Sequence, residues 1–204
     1  MEIKVYVDIG ASFFRHPKDQ IDSGWEVHLI EPIEEHHLTN CNAYRNYENV
    51  YCHQIAIDVM SGKRDLMIPD EEYLQKKNIQ ITDSIQGTAG FSPVDKRDQR
   101  KNKVFQKHGE FMYKKQTVDC ITFDQFTEAN GISKVDYLKT DTEGHDIEIL
   151  KTVDLDRYQV KTLKFEHIWA KRRNLEEYNL FVQKINSLGF ELKEEGPYDQ
   201  IYAR

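Results

Sequence analysis

Acidic and small residues recur where the apolar runs of this chain stop. Asp8-Ile9-Gly10-Ala11-Ser12 follows IKVYV, and Glu31-Pro32 follows EVHLI. Ala56-Ile57-Asp58 closes a run that starts at Val50, Asp141-Thr142-Glu143-Gly144-His145 follows VDYLKT, and Glu166-His167 follows KTLKF. A single acid after a strand is ordinarily a helix cap or a solvated turn. Five polar strand ends in one chain point to a ligand site, because ligands of open α/β sheets bind beyond the carboxyl ends of the strands.

Two nucleotide-type ligands compete for such a site. A dinucleotide needs a glycine-rich turn that brings backbone onto a pyrophosphate and lets helix and sheet pack closely. Counting from Gly10, the other two glycine positions hold Ser12 and Arg15, and Asp8 adds negative charge beside the phosphates. That reading fails on sterics and on charge. S-adenosylmethionine carries no phosphate. Gly10, Ala11 and Ser12 allow close backbone approach, and Asp8 suits a cationic ligand. Glu31 is placed to accept two ribose hydroxyls, with Pro32 ending its strand. Ala56 and Ile57 offer apolar surface and backbone donors to adenine, with Asp58 nearby.

Methyl transfer to an alcohol requires alignment of the acceptor oxygen and removal of its proton. Asp141 is the first candidate to face the methyl group, either as base or as cofactor support. His145, Glu166 and His167 are the other catalytic candidates. Each has a plainer role: Glu143 can stabilise the start of a helix, His145 can orient a neighbour, Glu166 can support from behind, and His167 can line the pocket. A divalent metal between Asp141 and Glu166 would suit oxygen ligands, but two acids do not make a metal site, and no metal ligand is assigned. Trp169, Phe91 and Tyr198 are candidate sugar platforms, and Ser84, Thr88 and Ser92 lie in a polar loop.

The elements that position these residues are legible from pattern. Residues 3–8, 26–30, 50–57, 135–141 and 161–167 read as strands, and 33–46 as a polar helix. Thr122 and Gln125 form a capping-box pattern before Phe123 and Phe126, and Gly131 can close that helix. Residues 144–152 read as a short helix with Ile147 and Leu150 on one face. Asn174 and Glu177 cap a further helix, whose face carries Leu175, Tyr178, Val182, Ile185 and Leu188 up to Gly189. The C-terminal residues read as two strands about Gly196-Pro197. The alternation predicts an α/β fold with a mostly parallel sheet, helices on both faces and a C-terminal antiparallel hairpin.

The chain has 204 residues, a formal charge of −7, 39% hydrophobic and 31% charged residues, and 11 Tyr, 10 Phe and 2 Trp. This is the composition of a globular chain, not a disordered one. A single domain, 1–204, is expected, with an irregular insertion around 58–120. Within 94–116, eight Lys or Arg face three Asp or Glu, a local +5 that leaves −12 for the rest. That segment is a solvated basic hairpin or a contact surface for an anionic partner. The net charge argues against a nucleic-acid-coating protein. No apolar run reaches the ~20 residues of a membrane span. Three widely spaced cysteines and no signal-peptide pattern lead to an expectation of free thiols and a cytoplasmic location.

DIGAS at 8–12, Glu31-Pro32, QIAI at 54–57, VDCITFDQF at 118–126 and above all VDYLKTDTEGHDIEILK at 135–151 resemble the FkbM family. These are class I S-adenosylmethionine-dependent methyltransferases, and the ordered set covers nearly the whole chain. The resemblance implies a Rossmann-like, seven-stranded sheet and O-methylation of sugars or hydroxylated natural products. A sugar hydroxyl of a glycan or glycoconjugate is the expected acceptor, with a deoxyhexose such as rhamnose as one guess. The alternatives are a catalytically silent binding module, or methylation of RNA or of a small natural product. Phe14-Arg15-His16 stands where the family carries another glycine. The chain starts almost on its first strand, as in a minimal enzyme or one module of a longer polypeptide.

Overall fold

The structure, a computed structural model, describes residues 2–12, 17–80 and 107–204. Phe14, Arg15, His16, Ser84, Thr88, Phe91, Ser92 and the 94–106 part of the basic segment lie outside the described residues. The chain divides into two compact units: Met1–Gly62 with Asp119–Arg204, and Lys63–Val118.

The larger unit is built on β1 (Val5–Ile9), β2 (Glu26–Ile30), β3 (Val50–His53), β7 (Tyr137–Thr140), β8 (Thr162–Glu166), β9 (Glu191–Glu195) and β10 (Asp199–Ala203). They form a seven-stranded sheet in the order β3-β2-β1-β7-β8-β10-β9. Only β10 runs against the others, antiparallel to β8 and β9. The strand order reverses beside β1: β2 and β3 extend to one side, β7 and β8 to the other. Ligands of such sheets sit beyond the strand ends at that reversal.

Period-2 alternation puts Val7 and Ile9 into one core and Tyr6 into the other. The first core is closed by α4 (Phe123–Ala129), α5 (Asp146–Thr152) and α7 (Leu175–Ser187), through Phe123, Phe126, Ile147, Leu150, Phe181 and Ile185, with Ala170 of α6 (Ile168–Arg173) packed against it. The opposite face packs Ile21 of α1 (Lys18–Asp22) and Tyr44 of α2 (Glu34–Tyr44) against Val27 and Leu29. The Thr122–Gln125 capping box forms in both directions, and Asn174 accepts from the Glu177 N–H.

Two expectations need correction. The stretch 50–57 is not one strand: it breaks after His53, and β4 (Ala56–Ile57) pairs with the end of β6 (Tyr113–Ile121) instead. The break lets Asp58 leave the main sheet. Leu175 is 57% exposed, and Phe181 takes its place on the buried face of α7. Leu175 is the first residue of that helix, beside its cap, where a side chain has no preceding turn to pack against.

In the smaller unit, β5 (Gly62–Pro69) pairs with β6. α3 (Glu71–Lys76) is capped by Asp70, which accepts from the Tyr73 N–H, and Leu74 packs on Met112. Among the described residues no helix is long and apolar enough to cross a membrane.

Candidate functional site

The residues after β1 and after β7 make two tight turns side by side. Gly10 has φ +78°, and a Cβ there would lie 2.1 Å from the Asp141 carbonyl oxygen, so only glycine lets these strand ends meet. Gly144, at φ +92°, is pressed against Trp169 in the same way, where a Cβ would meet the Trp169 Cβ at 2.8 Å. Two non-glycine residues, Ser12 (φ 47°) and Glu143 (φ 53°), are also left-handed. Such backbone costs about 1–3 kcal/mol per residue and clusters at ligand clamps and active sites.

Glu31 is buried at the end of β2 and caged by the turn after β1. Its Oε2 accepts the Ser12 N–H at 2.9 Å, and its Oε1 accepts the Ile33 N–H at 2.8 Å. Asn40 of α2 donates to the Ser12 carbonyl at 2.6 Å and holds that turn in place. Burial pushes the Glu31 carboxyl up to about 7, against the pull of the two backbone donors. Pro32 is half-buried beside it, and Ala11 is part of the core under β1 and β2.

Asp8 is fully buried and paired. Lys139 Nζ donates to its two oxygens at 2.9 and 3.2 Å and lies 3.8 Å from Asp141 Oδ2. Asp8 and Lys139 are register partners on β1 and β7, two residues after the stacked Tyr6 and Tyr137 on the same face. Burial pushes Asp8 upward and the ammonium opposes it. Burial alone would lower Lys139, and the carboxylates of Asp8 and Asp141 more than reverse it. Asp8 thus meets a protein cation.

Toward β8, Glu143, Asp146 and Glu166 form no ion pair among the described residues, while Asp141 shares Lys139 with Asp8. Asp141 keeps 39% of its side chain exposed. Its carboxyl is raised by burial, a shift solvent screens in part, with Lys139 acting against it. Burial raises Glu143 to about 8, Asp146 to about 6 and Glu166 to about 10, and neighbouring carboxylates add to each. Glu166 Oε2 is buried without a hydrogen-bond partner. Asp146 accepts from the Thr142 hydroxyl at 3.0 Å. His167 Nε2 lies 3.3 Å from the Gly196 carbonyl, while its Nδ1 is buried and unpartnered.

Ala56 and Ile57 are buried in β4, and the Asp58 N–H continues that pairing onto Ile121. The Asp58 carboxylate, fully buried, faces His145 Nε2 at 2.9 Å. The structure thus brings Gly10 against Asp141, Ser12 against Glu31, and Asp58 against His145. Among the described residues no group of three or more His, Cys, Asp and Glu side chains is arranged to hold a metal ion. Lys139, Asp146, Asn40 and Arg173, which donates to the Gly144 carbonyl at 2.5 Å, were not singled out by sequence. Only Lys139 carried a signal, its place two residues from Asp141 on one strand face.

Strand order and strand-end turns together define a Rossmann-like methyltransferase fold. The family model described as the Methyltransferase FkbM domain matches residues 6–192, and the chain belongs to that family. A crystal structure of the methyltransferase FkbM from Methylobacillus flagellatus KT is similar in fold, with a TM-score of 0.56 at 15% identity. The similarity covers 99% of this chain and 43% of that one, so the chain spans less than half the length of that protein. A search of curated proteins finds no match.

Proposed function

We propose that this domain methylates a sugar hydroxyl of a glycan or glycoconjugate, using S-adenosylmethionine, in the cytoplasm. Membership of a methyltransferase family supports the reaction class. The sugar follows from the resemblance described above, with a deoxyhexose such as rhamnose as the first acceptor to try. Cys41, Cys52 and Cys120 form no disulfide, which suits a reducing compartment.

The observation that carries the cofactor reading is the Glu31 cage. A carboxylate has about four lone-pair positions, and each Glu31 oxygen accepts one backbone N–H. Acceptor capacity therefore remains on both oxygens, which fits a ribose diol. Gly10, Ala11 and Ser12 supply the turn that approaches the cofactor, Ala56 and Ile57 the apolar flank, and Asp141 the edge nearest the reacting group. Asp8, balanced by Lys139, supports the turn from beneath.

Bound S-adenosylmethionine supplies an electrophilic methyl group. The chain must place the acceptor hydroxyl and take its proton. His145, aligned by a carboxylate, is the base. Asp141 orients the hydroxyl. Glu166, protonated at neutral pH, donates a hydrogen bond to the acceptor rather than receiving its proton, and His167 backs it.

A labelled-methyl transfer screen against glycans and deoxyhexose glycosides tests the reading. Labelled product is expected, and Asp141→Asn should lower turnover more than it disturbs folding. Absence of transfer to any hydroxylated acceptor by a chain that binds S-adenosylmethionine would favour a binding module instead.

A further inference from the structure

We propose that Cys41 and Cys52 are a modification site: a dithiol that a low-molecular-weight disulfide closes into a protein disulfide, tying together two supports of the Glu31 cage. The disulfide stands on the geometry of the cysteines alone. Its effect on the cofactor rests on the reading of Glu31.

Cys41 lies on α2 and Cys52 on the edge strand β3, and these two elements pack on each other. The two thiols meet there in a side-chain hydrogen bond. Both are partly exposed, whereas Cys120 is buried in β6. His37 stands one helical turn before Cys41, at the i, i+4 spacing that sets side chains beside each other. Its Nε2 lies 3.3 Å and its Nδ1 4.0 Å from the Cys41 sulfur, so either tautomer keeps a bare nitrogen within the reach of sulfur. Burial lowers His37 from its ordinary 6.5, which leaves the ring neutral at pH 7 and able to take a thiol proton. Burial pushes the Cys52 thiol up, and the adjacent Cys41 adds to the rise. Cys52 therefore keeps its proton at pH 7, and the base sits beside Cys41.

Thiol–disulfide exchange runs through thiolate attack and a mixed disulfide. With oxidised glutathione as the reactant, Cys41 passes its proton to His37 and attacks one glutathione sulfur. The glutathione S–S bond breaks, and the departing thiolate takes the proton from His37. Cys52 then attacks the Cys41 sulfur, and the second glutathione leaves with the Cys52 proton. Two protein thiols are oxidised to one disulfide, and one glutathione disulfide is reduced to two thiols. In reducing compartments such bonds are transient and redox-sensing.

Each cysteine has a support of the cage next to it in the chain. Asn40, before Cys41, donates to the Ser12 carbonyl at 2.6 Å. The carbonyl of His53, after Cys52, accepts the Glu31 N–H at 3.0 Å. A disulfide draws the sulfurs to about 2 Å, closer than two hydrogen-bonded thiols, and so shifts Asn40 against Ser12. Loss of that hydrogen bond loosens the turn and should weaken cofactor binding about threefold or more.

Mass spectrometry of the whole chain after incubation with oxidised glutathione, followed by peptide mapping, tests the site. The wild type should lose two hydrogens, with the bond mapped to Cys41 and Cys52, and regain them with dithiothreitol. Cys52→Ser should stop as the glutathione adduct on Cys41, and Cys41→Ser should react far more slowly. A wild type that keeps all its thiols, holds a stable glutathione adduct or bonds through Cys120 overturns the proposal, as does a Cys41→Ser chain that reacts at the wild-type rate. The wild-type result needs no variant, so a misfolded variant does not remove the test. By calorimetry the oxidised chain should bind S-adenosylmethionine about threefold or more weakly than the reduced chain, and equal affinities overturn the coupling. Failure of the cofactor reading looks different: the reduced chain gives no heat with S-adenosylmethionine, while the disulfide still forms.

Discussion

The two flanks of β7 bury carboxylates in opposite ways. Toward β1 and β2, Asp8 is met by Lys139 and Glu31 by two backbone N–H groups. Toward β8, Glu143, Asp146 and Glu166 crowd together and push one another's protons on. On the first flank each carboxylate is met by donors, Asp8 by an ammonium and Glu31 by backbone N–H groups that oppose its rise to about 7, and this prearrangement suits binding a fixed cofactor. The second stores protons near neutral pH, which suits hydrogen-bonding an acceptor. The difference follows from register: β1 sets a lysine opposite its acid, whereas β8 and the turn before α5 bring acid to acid.

The largest break in this contrast should come from Lys139→Met. Asp8 would stay buried without its cation, a change that typically costs about 3–5 kcal/mol. Urea unfolding at pH 7 measures it, and a loss under about 1 kcal/mol would mean that Asp8 does not depend on Lys139.

On the other flank the expected effect is a slope. Burial raises Glu166 from its ordinary 4.5 to about 10. Between those values the folded chain holds a proton that the unfolded chain has lost. Its stabilisation is full below the lower value and fades as pH rises through the upper one, by at most about 1.4 kcal/mol per pH unit. Wild-type stability should therefore fall from pH 5 toward pH 9, and Glu166→Gln should flatten that fall. Parallel profiles for the two chains would place the stored proton elsewhere.

A smaller loss, about 1–3 kcal/mol, is expected for Gly10→Ala, which forces a side chain onto the Asp141 carbonyl from a left-handed backbone. Thermal unfolding checks it. An unchanged midpoint would show that the two strand ends can separate without cost.

Much of this was legible in the sequence because the signals are local. Strands end abruptly at Asp8, Glu31, Asp141 and Glu166, and the Thr122 and Asn174 caps fall within four residues of their partners. What sequence hid was long-range. Lys139 reads as an interior strand residue until the β1–β7 register sets it opposite Asp8, 131 residues away. Asp58 reads as the tail of a strand because 50–57 is continuous in hydropathy, while the break after His53 redirects it to His145. Leu175 satisfies helical spacing yet lies at the helix start, where periodicity says nothing of cover.

Calorimetry decides whether the flank toward β1 and β2 is a cofactor site read by Glu31. S-adenosylmethionine and S-adenosylhomocysteine titrated into the wild type at pH 8 should both bind. Glu31→Ala should weaken both by about tenfold or more through lost ribose hydrogen bonds. No binding to the wild type, or equal affinity in Glu31→Ala, would contradict it.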